Sequence, residues 1–373
     1  MKHPTCGTLT EGPRAIFQGG TSTVWQYDQG ANGIGRLSMI TDVTGSTSYS
    51  YDANGHVTQK IQTVGAVSLT MSYGYDAGGR LASVAYPLGR QVLYAYDAAG
   101  RVSSGVTKAG KPLVAGVTYL PFGMASGWAD GNGASYQRAI DLDGRITGLA
   151  LPGGDTIALS YDAANRITGR TETGFPAESF TYDALDRLTT YASGAATKTY
   201  TYDANGNRTG YLGNATPPVS LAYNIDAASN RLLGIGGSWN ESFTYDAAGN
   251  MLSYSAPFAD YRFSYDARNR QGQAFVGAIG TRWLINGLGQ RIAQINVSVP
   301  EFFFVYDEAG HLTGKYDSIG NPVRETAWLG DLPVAVTVPQ SRGQFYIAPD
   351  HLGAPHRITD AGGAVVWQCG SEP

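Results

Sequence analysis

Charge is scarce in this chain: only 15% of its 373 residues are Asp, Glu, Lys or Arg, and the formal net charge is −4. Basic blocks are missing altogether, which excludes the electrostatic footprint that a nucleic-acid backbone requires. No run approaches the roughly 18 consecutive apolar residues of a membrane-spanning helix. The opening residues, MKHPTCGTLTEGPR, hold no apolar core of the length a secretory signal needs. Cysteine is nearly absent: Cys6 and Cys369 stand at opposite ends, too few for a disulfide framework and too far apart for metal-ligand spacing. Both read as incidental. There are only five histidines. Sustained helical periodicity is also lacking, because Gly interrupts every stretch that could carry it.

What is abundant is Gly, with 50 residues, and Tyr, with 24. They recur together. FTYDALDRLTTY at 180–191 returns as YTYDANGNRTGY at 200–211, FTYDAAGNMLSY at 243–254 and YAYDAAGRVSSG at 94–105. The Tyr of each Tyr-Asp pair serves as a marker: Tyr27, Tyr51, Tyr75, Tyr96, Tyr161, Tyr182, Tyr202, Tyr245, Tyr265, Tyr306 and Tyr316. Tyr119, Ile140, Tyr223 and Ile285 fill the gaps as degenerate copies, so the period is about 20 to 24 residues.

Four residues after the marker stands Gly, as in Gly206 and Gly249, or else Asn165, Asp186 or Asn269. These residue types tolerate a left-handed backbone. Asp at the first turn position (Asp183, Asp203, Asp246), two variable residues and a left-handed position describe a type I turn closed by a Gly bulge. Each Asp then accepts hydrogen bonds from its own turn's amides. Two residues before the marker stands a second large apolar residue, such as Phe180, Tyr200 or Phe243, on the same strand face. Each repeat therefore reads as strand, tight turn, strand. A lone hairpin is unstable in water, so neighbours pair edge to edge and stack their aromatic residues. The fold class is all-β: tandem hairpins forming one extended, curved or spiralling antiparallel sheet. About 14 repeats of two strands at about 4.8 Å give a sheet on the order of 130 Å wide, which curls into one belt about 40 Å across with both ends open. Residues 1–24 are set apart as an unassigned leader, 25–340 as the array, and 341–373 as a carboxy-terminal segment.

The pattern Tyr-Asp-Ala-x-Gly-Arg-Leu/Val resembles the RHS, or YD-repeat, family over residues 25 to about 320. The tail is similar to the closing part of the bacterial RHS core, whose Asp-His-Leu-Gly-x-Pro-x-x-x-Thr-Asp motif is matched by Asp350, His351, Leu352, Gly353, Pro355, Thr359 and Asp360. The family often has Arg directly after that Pro; here His356 stands there and Arg357 follows. The resemblance implies a hollow β-shell that encloses a toxic carboxy-terminal domain and delivers it through a specialised secretion apparatus or an insecticidal toxin complex. Related animal teneurins use the shell in cell adhesion. Partners implied are further shell segments, a toxin cargo and that apparatus, with the product secreted or at the cell surface by a non-classical route or within a larger polypeptide. Bacterial members usually continue into an Asp-Pro-x-Gly segment and a variable toxin, whereas this sequence stops at Pro373, so a fragment unable to seal in cargo by itself is expected.

No catalytic residue, cofactor or metal is implied. Asp52, Asp97 and Asp203 read as turn caps rather than acids, and Asp350, His351 and His356 match no ligand spacing. A carbohydrate or cell-surface binding module stays open as the second reading, since stacked Tyr and Trp on an exposed sheet can bind sugars.

Overall fold

The computed structural model describes residues 14–18, 21–107, 110–121, 123–296, 299–339 and 343–369. Cys6 lies outside them. The described chain is a single sheet of 34 strands. Each strand pairs antiparallel with its neighbours in sequence, from Arg14–Gln18 on Thr21–Tyr27 to Pro355–Thr359 on Val365–Gln368. The stretch read as a leader thus supplies strands, and so does the carboxy-terminal motif segment. Among the described residues the only helical element is a 3-10 turn at Pro87–Gly89.

Local chemistry explains the pairing. At a representative tip the Gly79 amide donates to the Asp76 carbonyl at 2.9 Å and the Asp76 amide to the Arg80 carbonyl at 2.9 Å. The register slips by one residue at Tyr75, as a bulge requires. The left-handed position is real even where it is not Gly: φ is 65° at Asn165, 61° at Asp186 and 58° at Asn269.

Connections alternate between the two rims of the sheet. Fourteen hairpins, from Thr21–Tyr27 with Leu37–Asp42 to Val299–Tyr306 with Leu312–Asp317, turn on one rim. Two markers are corrected by this. Tyr316 and Asp317 form a turn on the opposite rim, because they follow Tyr306 by only half a repeat. In the degenerate copy the bulge falls at Ile225, not Tyr223, and the turn is a residue longer, with the Asn230 amide donating to the Asp226 carbonyl at 2.8 Å.

The sheet curls past a single wrap and lies on itself. Gln62 Nε2 donates to the Phe304 carbonyl, Tyr86 Oη to the Thr326 carbonyl and Tyr346 Oη to the Pro112 carbonyl, at separations of 242, 240 and 234 residues. Facing strands are thus some 22 apart in order, a circuit of about 110 Å and about 35 Å across at about 4.8 Å per strand. The single belt expected from the repeats took too few strands and too wide a circuit: with 34 strands and some 22 to a circuit, about 12 overlap as a second layer. Two cores fill the overlap: Met71, Tyr73 and Val92 pack with Phe303, Tyr316 and Ala335, and Trp128, Tyr136 and Leu149 pack with Leu329, Val334 and Ala348. Neither core draws a buried residue from 160 to 291. From about residue 179 to 265 the wall is one layer thick, while Arg268 and the Gly287 amide already donate to Thr23 and Asp42 across the overlap.

The last strands reach back onto the first circuit. His356 reaches Glu172, Arg357 reaches Pro152 and Asp155, and Thr359 meets Asn132. Three residues along one strand thus touch three successive turns on the rim opposite the repeat tips. The strand lies across that rim as a strap.

Candidate functional site

Two constructions stand out: a ladder along the repeat rim and a buried lock at the strap. In the ladder, Asp183 Oδ1 accepts from the amides of Leu185 at 2.9 Å and Arg187 at 3.1 Å, and Oδ2 accepts from Arg187 Nε at 2.7 Å. The same guanidinium lies 4.9 Å over the Tyr202 ring and donates to the Asp203 carbonyl at 2.8 Å. Tyr202 Oη then donates back to the Leu188 carbonyl at 2.8 Å. The repeated phrase thereby makes three links: Asp folds its own turn, Arg reaches forward, and Tyr reaches back.

The other singled-out turns follow the same plan with variations. Tyr182 Oη donates to the Ile167 carbonyl at 2.7 Å, and Asp186 accepts from Arg166 at 2.8 Å. Asn207 and Asn250 replace Arg, donating to Asp203 and Asp246 at 2.8 Å each. Tyr245 Oη reaches the Leu232 carbonyl at 2.8 Å, and Gly206 and Gly249 hold φ of 88° and 93°. The side-chain bond from Arg187 holds the Asp183 carboxyl below the usual carboxylate range, and those from Asn207 and Asn250 do the same for Asp203 and Asp246. Each of these carboxylates is ionised and occupied by its own turn.

The carboxy-terminal motif is divided between both rims. Asp350 Oδ1 takes the amides of Leu352 at 2.8 Å and Ala354 at 2.9 Å, Gly353 sits at φ 84°, and Leu352 is 81% exposed at the tip. Asp360 closes the turn on the other rim, accepting from the Gly362 and Ala364 amides at 2.9 Å each. Between them Pro355 pairs with Pro349 just past a bulge, and Thr359 is fully buried against Asn132 at 3.0 Å. His351 is held below the usual histidine range by burial, against the neighbouring Asp350 carboxylate, which pulls it up.

The residues between the motif's fixed positions make the lock, and sequence reasoning passed over them. Glu172, with a side chain 3% exposed, faces His356 Nε2 at 2.9 Å and accepts from Gln368 Nε2 at 2.7 Å and from Arg170. Arg170 also pairs with Glu178 at 2.9 Å. Arg357, 2% exposed at its side chain, pairs with Asp155 at 2.6 Å. The available signal was the ion pair Arg170/Glu172 on one face of a strand, where most repeats carry small or neutral residues. Among the described residues no group of three or more His, Cys, Asp or Glu could hold a metal ion, and no helix is long and apolar enough to cross a membrane.

A spiral of paired hairpins, tied at one rim by Asp-Arg-Tyr links and strapped at the other, defines a repeat-built shell wall. The chain belongs to the teneurin YD-shell family, whose model matches residues 156–373; the RHS repeat model matches residues 73–112. No curated protein matches it at a significant level. Among solved structures, it is similar to a crystal structure of TcdB2-TccC3-TEV, with a TM-score of 0.64 and 14% identity over 93% of this chain and 21% of that one. It is also similar to the Tc holotoxin pore of Photorhabdus luminescens, with a TM-score of 0.63 and 13% identity over 94% of this chain and 22% of that one. At such identities the likeness is one of fold. The chain spans about a fifth of the length of these structures.

Proposed function

We propose that this chain is a non-enzymatic wall segment of a shell that encapsulates a toxin and carries it out of the producing cell. The observation that supports this most is the two-layered spiral itself, whose fold matches the wall of Tc toxin structures. The carboxylates at the turn tips serve as caps, so the work of the molecule is to enclose. Its partners on this reading are further shell segments, the cargo and a secretion apparatus, and its place is outside the producing cell within a larger assembly.

A cargo of about 100 residues has a radius of gyration near 13 Å and a diameter of about 34 Å. A strand of seven residues rises only about 23 Å, so one circuit girdles such a cargo without covering it. Fusing a small protease-sensitive domain after Pro373 tests the reading. Digestion of that domain is expected to be slower than when it is free and faster than inside a full-length family shell. Cleavage at the free rate, beside an intact repeat block, would refute encapsulation.

A further inference from the structure

Between the two layers lies a cavity of about 320 Å³, bounded on one wall by Tyr73, Tyr75, Tyr86, Tyr94 and Tyr96 and on the other by Trp328 and the turn carrying Asp307 and Glu308. Its size is at the small end of the range of about 300 to 1,000 Å³ for ligand pockets. Four of the five tyrosine hydroxyls are committed to the walls, and the fifth, Tyr73 Oη, is buried without a partner. Tyr75 donates to the Val57 carbonyl at 2.9 Å, Tyr86 to Thr326 at 2.8 Å, Tyr94 to Trp328 at 3.3 Å and Tyr96 to Leu81 at 2.7 Å. What remains to line the space is mostly ring surface, with the Trp328 indole N–H as a second buried polar group without a partner.

The cavity occurs where the ladder changes its cation. At the position that holds Arg166 and Arg187 in other hairpins, the hairpin before the tyrosine wall carries His56 and the one facing it His311, while the wall's own two hairpins keep Arg80 and Arg101. His56 stacks on Tyr75 at 4.5 Å between ring centroids and His311 on Trp328 at 4.4 Å. Imidazole is shorter than an arginine side chain and leaves room beyond the ring. The chain itself shows what settles against such tyrosines: guanidinium groups lie 4.5 Å over Tyr96 and 4.6 Å over Tyr86 at the edges of this same wall, and 4.6 Å over Tyr119 and 5.0 Å over Tyr161 elsewhere.

The charge around the cavity favours the same kind of guest. Asp307, Glu308 and Asp331 are three carboxylates. Facing them are Lys60, 3.2 Å from Glu308, and His311, bound to Asp307 at 2.9 Å and Asp331 at 3.0 Å. With His311 protonated, the one unbalanced negative charge is that of Asp331, whose side chain is 97% exposed at the cavity's edge. The other charged side chains at the edges are paired among themselves, Arg80 with Asp76, His56 with Asp52 and Arg90 with Glu325. The acidic field reaches the facing wall: Tyr73 and Tyr94 are pushed up by burial first and by Glu308 or Asp307 next.

We infer that this cavity is a binding site for an organic cation, an alkylammonium or guanidinium group such as a Lys or Arg side chain of a peptide entering between the layers. Negatively polarised ring faces with a net carboxylate nearby attract a cation that also has hydrocarbon to bury. A sugar would need free hydroxyl partners, and four of the five tyrosine hydroxyls here are engaged by the backbone. The inference does not depend on what cargo the wall encloses.

Choline and its uncharged isostere 3,3-dimethylbutan-1-ol serve as probes, followed by saturation-transfer NMR on the full chain. Choline is expected to bind saturably in the millimolar range and the alcohol much more weakly. Glu308→Gln, at a solvent-exposed tip, is expected to weaken choline about five-fold. Equal binding of the two probes, absence of choline binding, or maltose binding in its place would overturn the inference. Choline bound as tightly by Glu308→Gln as by the parent would overturn the assignment to this cavity.

Discussion

Replacing Glu172 with Ala tests whether the strap is held by its buried charges. Glu172 gathers three partners, His356, Gln368 and Arg170, and two of them belong to the last two strands. With the carboxylate gone, Arg170 keeps only Glu178, while His356, 3% exposed, keeps neither water nor an acid. Breaking a buried pair by removing one side costs about 3 to 5 kcal/mol. Glu172→Gln keeps the volume and one acceptor but loses the charge, at a cost of about 1.5 to 3 kcal/mol. Repeat arrays open locally, so the effect belongs to the strap rather than to the whole sheet. Amide hydrogen exchange reads it where Ile358 pairs with Trp367. At about 1.4 kcal/mol per factor of ten, a loss of 3 kcal/mol speeds exchange there by about a hundred-fold. The strand Met251–Ala256, in the single-layered arc, serves as the control. Unchanged protection at Ile358, or an equal loss in both strands, refutes the lock.

Two further outcomes test the rim. Gly206→Val is expected to lower the urea midpoint more than Asn205→Val, because Gly206 sits at φ 88° with nothing within 4 Å of an added Cβ, so the cost of about 1 to 2 kcal/mol is backbone strain alone; equal midpoints contradict the turn assignment. Stability is also expected to fall with acid. Asp162, Asp183, Asp203 and Asp246 have folded pKa values below their unfolded ones, so their contribution is present above about pH 4 and is lost as pH falls through the lowered values. A thermal midpoint that stays flat from pH 5 to below pH 3, on the order of the carboxylate range, counts against it.

Much of the rim was legible in the sequence because its interactions are local. Asp, two free residues, a left-handed position and Arg specify a tip within six residues, and Asn165 and Asp186 show that the conformation, not glycine itself, was what the pattern encoded. Period alone misled at Tyr316, where the right residues recur at half the spacing and so belong to the other rim. The layering was not legible. Tyr73 is 8% exposed beneath the second layer and Tyr200, at the equivalent place in the single-layered arc, is 6% exposed among its own neighbours, and both are aromatic residues two before a marker. What separates them is a partner more than 200 residues away, and no local pattern names it. The lock was hidden for the same reason: Glu172 gains its meaning only when His356 arrives across the rim.

The overlap turns the spiral into a vernier. In an open solenoid, a repeat gained or lost merely changes length, since each unit touches only its neighbours. Here one hairpin inserted in the arc between 178 and 276 would displace everything after it by two strands, about 10 Å. Arg90 would then miss Glu325, Lys60 would miss Glu308, and Arg357 would miss Asp155. Unequal recombination within so repetitive a gene readily offers such insertions, and the second layer is the device that reads them as errors. The number of repeats in the circuit is therefore a fixed dimension of the molecule, set by the fit of one coil against the other.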